Sequence, residues 1–463
     1  MQQISSKPDS DGPSKGRYAF VSLGCPKNLV DSERILGQLQ LEGYQLVDDP
    51  VGTDFVVVNT CGFIEAAREE SFATIDEMLE LKRQGNTRGV VVCGCLAEKQ
   101  KEDLYLARPE IDSLVGVFSR DEVTRIADRL VGNMDEQRSV FHPAPIRAPA
   151  DIQRLRITPR HFSYLKISEG CDRLCTFCAI PQMRGKHASK TMEDVVAEAR
   201  HLAQDGVREL IIVAQDTTYY GTDLYGEPRL TELLKELEQV DGLDWIRLMY
   251  FYPMYIDRPL LDVISSSEKI LPYIDMPLQH INDTMLRRMS RRVTRAQTET
   301  LLQMLRESIQ NLTLRTTLIT GFPGETEAEF LELKDFVQEH AFDHLGVFTY
   351  SHESTTPSAE FPGHLSEEEK TFRRDAIMEV QQQIACSKSA GRVGEQLDVI
   401  LDQPLDREAN AWIGRTAGDA PDVDAVVYVT GEIYTLKAGH IVKCEVVASK
   451  DYDLVACATQ APR

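Results

Sequence analysis

The sequence predicts an α/β protein in three parts: an N-terminal parallel α/β domain, a central partial (β/α)6 barrel and a small all-β barrel at the C-terminus. Three observations carry this. Apolar runs alternate with helically spaced segments from about position 17 onward. The alternation breaks once, at "HPAPIRAPADIQRLRITPR", a stretch rich in proline and arginine. After Gly394 the helical spacing stops and short strand-like runs with turns take over. The expected organisation is a disordered tail at 1–16, a first domain at 17–132, a linker at 133–156, the barrel at 157–394 and the terminal barrel at 397–463.

In the first domain, "RYAFVSLGC" reads as a buried strand ending at Cys25, and "DSERILGQLQLEG" follows as a helix. "DFVVVNTCGF" is a second strand ending at Cys61, with a long helix over roughly Glu65 to Arg83 behind it. "RGVVVCGCLAE" is a third, ending at Cys93 and Cys95. Strand–helix–strand repetition implies a parallel sheet, and such sheets gather their sites at the carboxyl ends of the strands. Thiols far apart in sequence, each just past a strand end, can therefore meet at one edge. In the barrel, "YLKIS", "ELIIVAQD", "WIRLMYFYP", "YIDMPLQ", "LRTTLITGFPG" and "LGVFTYS" read as six strands. A helix from about Ser366 to Ala390 closes that region.

The 463 residues carry a net charge of −22, which argues against broad, non-specific attraction to nucleic acid and is compatible with a basic partner. No apolar run approaches the ~18 residues of a membrane span, and the polar N-terminus lacks an apolar signal core. We expect a cytoplasmic protein with no membrane partner. In that compartment the ten cysteines are not a disulfide framework; clusters point to metal or catalysis, and Cys386, Cys444 and Cys457 read as isolated structural residues.

The densest cluster is "SEGCDRLCTFCAIPQMRG", where Cys171, Cys175 and Cys178 follow the first barrel strand as C-x3-C-x2-C. Zinc sites use paired C-x2-C units, and here no second pair follows. Three thiolates on a cubane cluster leave one iron open to an exchangeable ligand. A fully ligated electron-transfer or scaffold module would need a fourth cysteine. A zinc-binding module is a third reading.

At these residues the chain resembles the radical S-adenosylmethionine (SAM) enzymes, whose signature is this loop. With "SLGCPKNLVDSE", "VVNTCGFIEAA", "GCLAE", "MPLQH" and "LITGFPGET" it resembles the methylthiotransferases over about Arg17 to Cys457. The resemblance implies a radical SAM barrel, a TRAM-like terminal barrel, two 4Fe–4S clusters and two equivalents of SAM per turnover. It implies that Cys171, Cys175 and Cys178 are catalytic and hold the radical cluster. It implies a second cluster on Cys25, Cys61 and Cys95; the spacing leaves Cys93 and Cys95 open, and Cys95 occupies the family's "GCL" position. The product is a C–S–CH3 group in place of C–H, and reduction calls for an electron donor of the flavodoxin or ferredoxin type.

Two branches of that family differ in substrate. The loop sequence and "GRTAGDAPDVDAVVYV" resemble the branch that modifies the β-carbon of an aspartate in ribosomal protein S12, free or in the small subunit. The alternative is a tRNA adenosine (isopentenyladenosine). From Leu397 to Arg463, eleven Asp/Glu stand against six Lys/Arg, whereas a barrel that tracks phosphates should be basic. We therefore expect Asp402, Asp419, Asp422 and Asp424 on a docking surface for a basic protein. Gln215 and Asp216, after the second barrel strand, are expected at the cofactor mouth, and Gly321 and Gly324 to allow adenine close to the backbone. His280 reads as packed or contacting substrate. Arg287, Arg288, Arg291 and Arg292 read as a solvated basic face, with cofactor carboxylate or RNA as other uses. A monomer is expected.

Overall fold

The computed structural model describes residues 14–132, 138–406, 410–431 and 435–463. The expected tail lies outside the described residues up to position 13, and position 16 already opens the first strand. Two compact units are found: residues up to 158 with 164–173 and 178–190, and the remainder.

In the first unit the elements that build the sheet and the thiol edge are β1 (Gly16–Ser22), α1 (Pro26–Leu41), β2 (Tyr44–Leu46), β3 (Thr53–Thr60), α2 (Glu65–Arg83), β4 (Thr87–Gly94), α3 (Cys95–Gln100), β5 (Ser113–Val115) and β6 (Arg138–Val140). They form a parallel sheet in the order β2-β1-β3-β4-β5-β6. The middles of β1, β3 and β4 are continuous apolar runs because both faces of the sheet are covered there. Phe55, Val57, Val91 and Cys93 pack toward Ile35, Leu36 and Leu39 of α1. Val56, Val58, Val90 and Val92 pack toward Ile75, Met78 and Leu79 of α2.

The segment expected to be a linker is held to this unit. Its residues 133–137 lie outside the described residues, but β6 extends the sheet. Farther on, Leu155 N donates to Glu33 O at 3.0 Å and Ile157 N to Glu33 Oε1 at 3.0 Å, while Arg154 pairs with Glu33 at 3.4 Å. Proline kept this stretch out of helix, but it did not stop its amides from bonding to α1.

A second sheet runs β12-β11-β10-β9-β8-β7, with β7 (Phe162–Lys166), β8 (Glu209–Val213), β9 (Trp245–Leu248), β10 (Ile270–Asp275), β11 (Thr313–Thr320) and β12 (His344–Thr349), of which β8 to β12 belong to the second unit. The pairs from β8–β9 to β11–β12 are parallel. The chain passes between the units within β7 and within the cysteine loop, so 164–173 and 178–190 group with the first unit and 174–177 with the second. Helix α4 (Ile180–Arg184) follows the loop, and α5 (Glu367–Gly391) follows the sheet. The terminal barrel closes in the order β13-β14-β15-β17-β16, from β13 (Gln396–Asp406), β14 (Ala411–Thr416), β15 (Val427–Thr430), β16 (Ile441–Lys450) and β17 (Asp453–Ala458). Its core includes Val399, Trp412, Val429, Val446 and Cys444, so Cys444 is structural as expected. No helix among the described residues is long and apolar enough to cross a membrane.

The terminal barrel is fastened to the amino ends of the central strands by buried charge. Glu209, fully buried at the start of β8, pairs with Arg247 of β9 at 2.7 Å and with Arg415 of β14 at 2.7 Å. Arg415 continues to Asp402 at 2.7 Å, and Asp402 to His161 Nε2 at 2.7 Å. Asp424 accepts from Tyr273 Oη at 2.7 Å and pairs with Arg315 at 3.2 Å; Asp419 lies 3.5 Å from His344. The docking expectation for Asp402, Asp419 and Asp424 is therefore corrected: their carboxylates are turned into this seam, and of the four only Asp422 is exposed. Burial alone would raise the Glu209 carboxyl, but Arg415 and Arg247 outweigh it and hold it below its ordinary value. Removing one partner of a buried pair leaves the other uncompensated. Arg415→Ala should cost about 3–5 kcal/mol in a urea titration, and a loss under about 1 kcal/mol would mean that water reaches the seam.

Candidate active site

Strand register brings the first set of thiols to one edge. Asn59 of β3 stands beside Ser22 of β1 and Cys93 of β4, and Thr60 beside Gly94. Cys61 therefore follows β3 at the level where Cys95 begins α3, and Cys25 arrives from β1 as the residue that opens α1. Two glycines make the approach possible. Gly24 (φ 91°) lies so close that a Cβ there would stand 3.1 Å from Cys61 Sγ. Gly94 (φ 92°) would drive a Cβ to 2.3 Å from Asn59 Oδ1. The positive φ at Gly94 also separates the two neighbouring cysteines. Cys93 points into the α1 core, while Cys95 sits among Val117, Ala179 and Met183.

Ser71 of α2 holds Cys61 in place, its Oγ accepting from Cys61 N at 3.1 Å and donating to Cys61 O at 3.0 Å. Burial pushes the Cys61 thiol up to about 12, and the neighbouring Cys95 and Cys25 add to that. Burial also raises the Cys95 thiol, against the pull of Arg184, whose Nη2 stands 3.3 Å from Cys95 Sγ. For Cys93, burial dominates and the next influences are Asp31 and Arg120. A thiol raised this far stays protonated unless a cation or metal takes the proton's place.

Beside these thiols lies a buried ion cluster. Asp31 pairs with Lys166 at 2.5 Å, Arg184 at 2.7 Å and Arg120; Glu169 pairs with Lys166 at 3.0 Å and Arg184 at 3.2 Å. Burial would raise the Asp31 carboxyl, yet Arg120, Lys166 and Arg184 together hold it well below the usual carboxylate range.

The second set of thiols lies on the loop after β7. Cys171 N donates to Gly185 O at 3.1 Å, and Arg173 N donates to Cys171 Sγ at 3.4 Å. Farther along, Thr176 is pinned three ways. Its N donates to Met289 O at 3.1 Å, its Oγ1 donates to Arg288 O at 2.8 Å, and its carbonyl accepts from Ser358 N at 3.0 Å. Phe177 meets Phe322 edge-on at 6.4 Å. Arg291, expected on a solvated face, is instead buried. Its Nη1 stands 3.8 Å from Cys175 Sγ, its Nη2 donates to Pro277 O at 2.6 Å, and its guanidinium lies 4.1 Å from the Tyr252 ring centre. Ser290, with φ of 54°, ends the helical turn and redirects the next side chain inward, a signal that charge patterning alone does not carry.

Gln215 lies two residues past β8, and both of its amide atoms are buried without a hydrogen-bond partner. Buried amides are nearly always satisfied, so an amide with neither atom paired stands out. Asp216 is buried and accepts from Thr218 Oγ1 at 2.6 Å. Gly321 and Gly324 do have positive φ (71° and 78°), but the close approach at each is made by this chain: added Cβ atoms would meet Lys370 Cγ at 2.3 Å and Arg288 Nη1 at 2.5 Å. His280 is packed, its Nδ1 accepting from Ile281 N at 2.9 Å and its Nε2 facing Glu325 at 3.1 Å. Among the described residues no three Cys, His, Asp or Glu side chains close on a single ion. Each set offers soft thiol donors, the donor chemistry that iron–sulfur clusters use.

Three family models match the chain: "Uncharacterized protein family UPF0004" over residues 17–116, the radical SAM superfamily over 165–337 and a TRAM domain over 393–458. A ribosomal protein uS12 methylthiotransferase RimO from Lachnoclostridium phytofermentans is 44% identical, covering 95% of this chain and 99% of its own. Proteins of the same name from Clostridioides difficile and Aquifex aeolicus are 42% and 43% identical, covering 95% and 96% of this chain and 98% of each relative. The chain belongs to the uS12 methylthiotransferase family. The three matched models follow one another along the chain; Cys25, Cys61 and Cys95 fall within the first and Cys171, Cys175 and Cys178 within the second. Among solved structures, the radical SAM methyltransferase TsrM from Kitasatospora setae, determined with cobalamin and a [4Fe-4S] cluster, matches with a TM-score of 0.56 at 14% identity, over 75% of this chain and 74% of its own. That likeness is one of fold alone.

Proposed function

We infer that this protein is a radical SAM methylthiotransferase that places a methylthio group on the β-carbon of an aspartate in ribosomal protein S12. The observation that carries the reading is full-length kinship: relatives bearing that name match 95% or more of the chain at over 40% identity. The tRNA and scaffold alternatives have no comparable support. Cys171, Cys175 and Cys178 would hold one 4Fe–4S cluster, and Cys25, Cys61 and Cys95 a second. When bound, the first cluster with SAM supplies the radical that removes hydrogen from the substrate carbon, and the second supplies the sulfur that replaces it.

The chain's own residues have narrower tasks. Thr176 fixes the backbone on which Cys175 is carried. Gln215 would offer its unpaired amide to SAM, with Asp216 beside it shaping the turn. Arg291 brings positive charge next to the Cys175 sulfur, where a thiolate or the SAM carboxylate gains from it. Gly321 and Gly324 set the path of the loop that carries Phe322, which supports Phe177. The reading further includes two equivalents of SAM per turnover, a flavodoxin- or ferredoxin-type reductant, a monomer, and a cytoplasmic site where thiols stay reduced.

The test is the intact mass of S12 from cells with and without this protein. S12 from the deficient cells should be lighter by one methylthio group and regain it on complementation. Unchanged S12, with a methylthio group lost from tRNA adenosine, would move the protein to the other branch.

A further inference from the structure

The buried ion cluster of the first unit does not balance on its own. Arg120, Lys166 and Arg184 bring three positive charges, and Asp31 and Glu169 bring two negative ones. Alongside, Lys190 pairs with Asp151 at 2.8 Å, and Arg34 links Asp151 at 3.3 Å to the exposed Asp121 at 3.0 Å. The side chains of Arg120, Lys166, Arg184, Asp31 and Glu169 are buried, and an uncompensated buried charge is costly. The anion that can complete the set is a thiolate.

Arg184 is built to face both ways. Its Nη1 donates to Asp31 Oδ2 at 2.7 Å and Glu169 Oε1 at 3.2 Å. Its Nη2 donates to Asn28 Oδ1 at 3.2 Å and reaches Cys95 Sγ at 3.3 Å. A guanidinium keeps its proton under all ordinary conditions, so the charge it brings to the sulfur is permanent. Its carboxylates lock its orientation, and Asn28, on α1 three residues after Cys25, fixes its other edge. The backbone adds a second link. Arg184 ends the short helix after Cys178, and the next carbonyl, Gly185 O, accepts from Cys171 N. One dipeptide therefore touches a cysteine from each set.

We propose that Arg184 is the positioning residue of the N-terminal centre: its guanidinium orients the Cys95 thiolate and supplies charge that lets three thiolates share one pocket. This rests on the reading that Cys25, Cys61 and Cys95 hold a cluster. The partner of a metal-bound ligand typically matters about 10–100-fold in metal affinity. Hydrogen bonds to cluster sulfurs also move the reduction potential upward.

The test uses full-length protein in two single-cluster backgrounds. In Cys171→Ala/Cys175→Ala/Cys178→Ala protein, reconstituted anaerobically with iron and sulfide, Arg184→Gln should speed chelator-driven iron release by about 10–100-fold. It should also shift the midpoint potential of the remaining cluster to more negative values and alter its EPR signal. Arg184→Lys, which keeps the charge but not the fork, should recover part of the potential. In Cys25→Ala/Cys61→Ala/Cys95→Ala protein, Arg184→Gln should leave iron release and the EPR signal of the other cluster unchanged. Equal losses in both backgrounds would reduce Arg184 to a structural part of the ion cluster and overturn the proposal, as would an unchanged potential and release rate in the first. If the first background binds no cluster before Arg184 is touched, the two-cluster reading fails, and the proposal with it.

Discussion

Cys175→Ala should bring 5′-deoxyadenosine release from SAM and dithionite down to background, abolish methylthio transfer to S12, and lower iron content to about half. The loop should keep its shape. Thr176, the next residue, holds it through its own amide, carbonyl and hydroxyl, none of which involves the Cys175 side chain. Phe177 remains seated on Phe322. What disappears is one of three thiolates, together with the sulfur that faces Arg291. With two of the three proposed ligands left, the cluster should be lost. The measurement is anaerobic reconstitution followed by iron and sulfide analysis and chromatography of the SAM products. Undiminished 5′-deoxyadenosine would show that the electron enters SAM without Cys175, and the open-cluster account would fall with it.

Much of the scaffold was legible because it follows from period and breakers. The helix Glu65–Arg83 and all six central strands lie where apolar spacing put them, and the terminal region is all-β and closed. The short strands β2, β5 and β6 were not legible, since three residues are too few to show a period and β6 sits beside the proline-rich stretch. Cys25 was read as a strand end, but β1 stops at Ser22 and Cys25 opens a helix, because Gly24 turns the chain and Pro26 starts α1. The least legible features were ionic. A count of acidic residues cannot say which of them find a buried arginine, so Asp402 and Asp424 were assigned to a surface when they fasten the barrel. The same limit hid Arg184 and Arg291. Each looks like one more surface cation in sequence, and only the fold brings it to a cysteine sulfur.

The sharpest separation expected is between two cysteines two residues apart. Cys95→Ala should abolish methylthio transfer and remove about half the iron, yet leave 5′-deoxyadenosine release from SAM in place, because the loop carrying Cys171, Cys175 and Cys178 is untouched. Cys93→Ala should keep both activities and lose only a little stability, from the small cavity it leaves against Ile35 and Leu36. The physical ground is Gly94. In an uninterrupted strand, residues 93 and 95 would point to the same face, toward α1. The positive-φ kink at Gly94, the last residue of the strand, sends Cys95 out of that core to the edge where Cys61, Cys25 and Arg184 surround it. An adequate replacement at 94 is excluded by the 2.3 Å approach of Asn59, so the distinction is built into the backbone and not into the choice of side chains. Parallel assays of S12 modification, SAM cleavage and iron content on the two variants decide it. A Cys93→Ala protein without transfer activity beside an active Cys95→Ala protein would place the third ligand inside the sheet, and the register argument would be wrong.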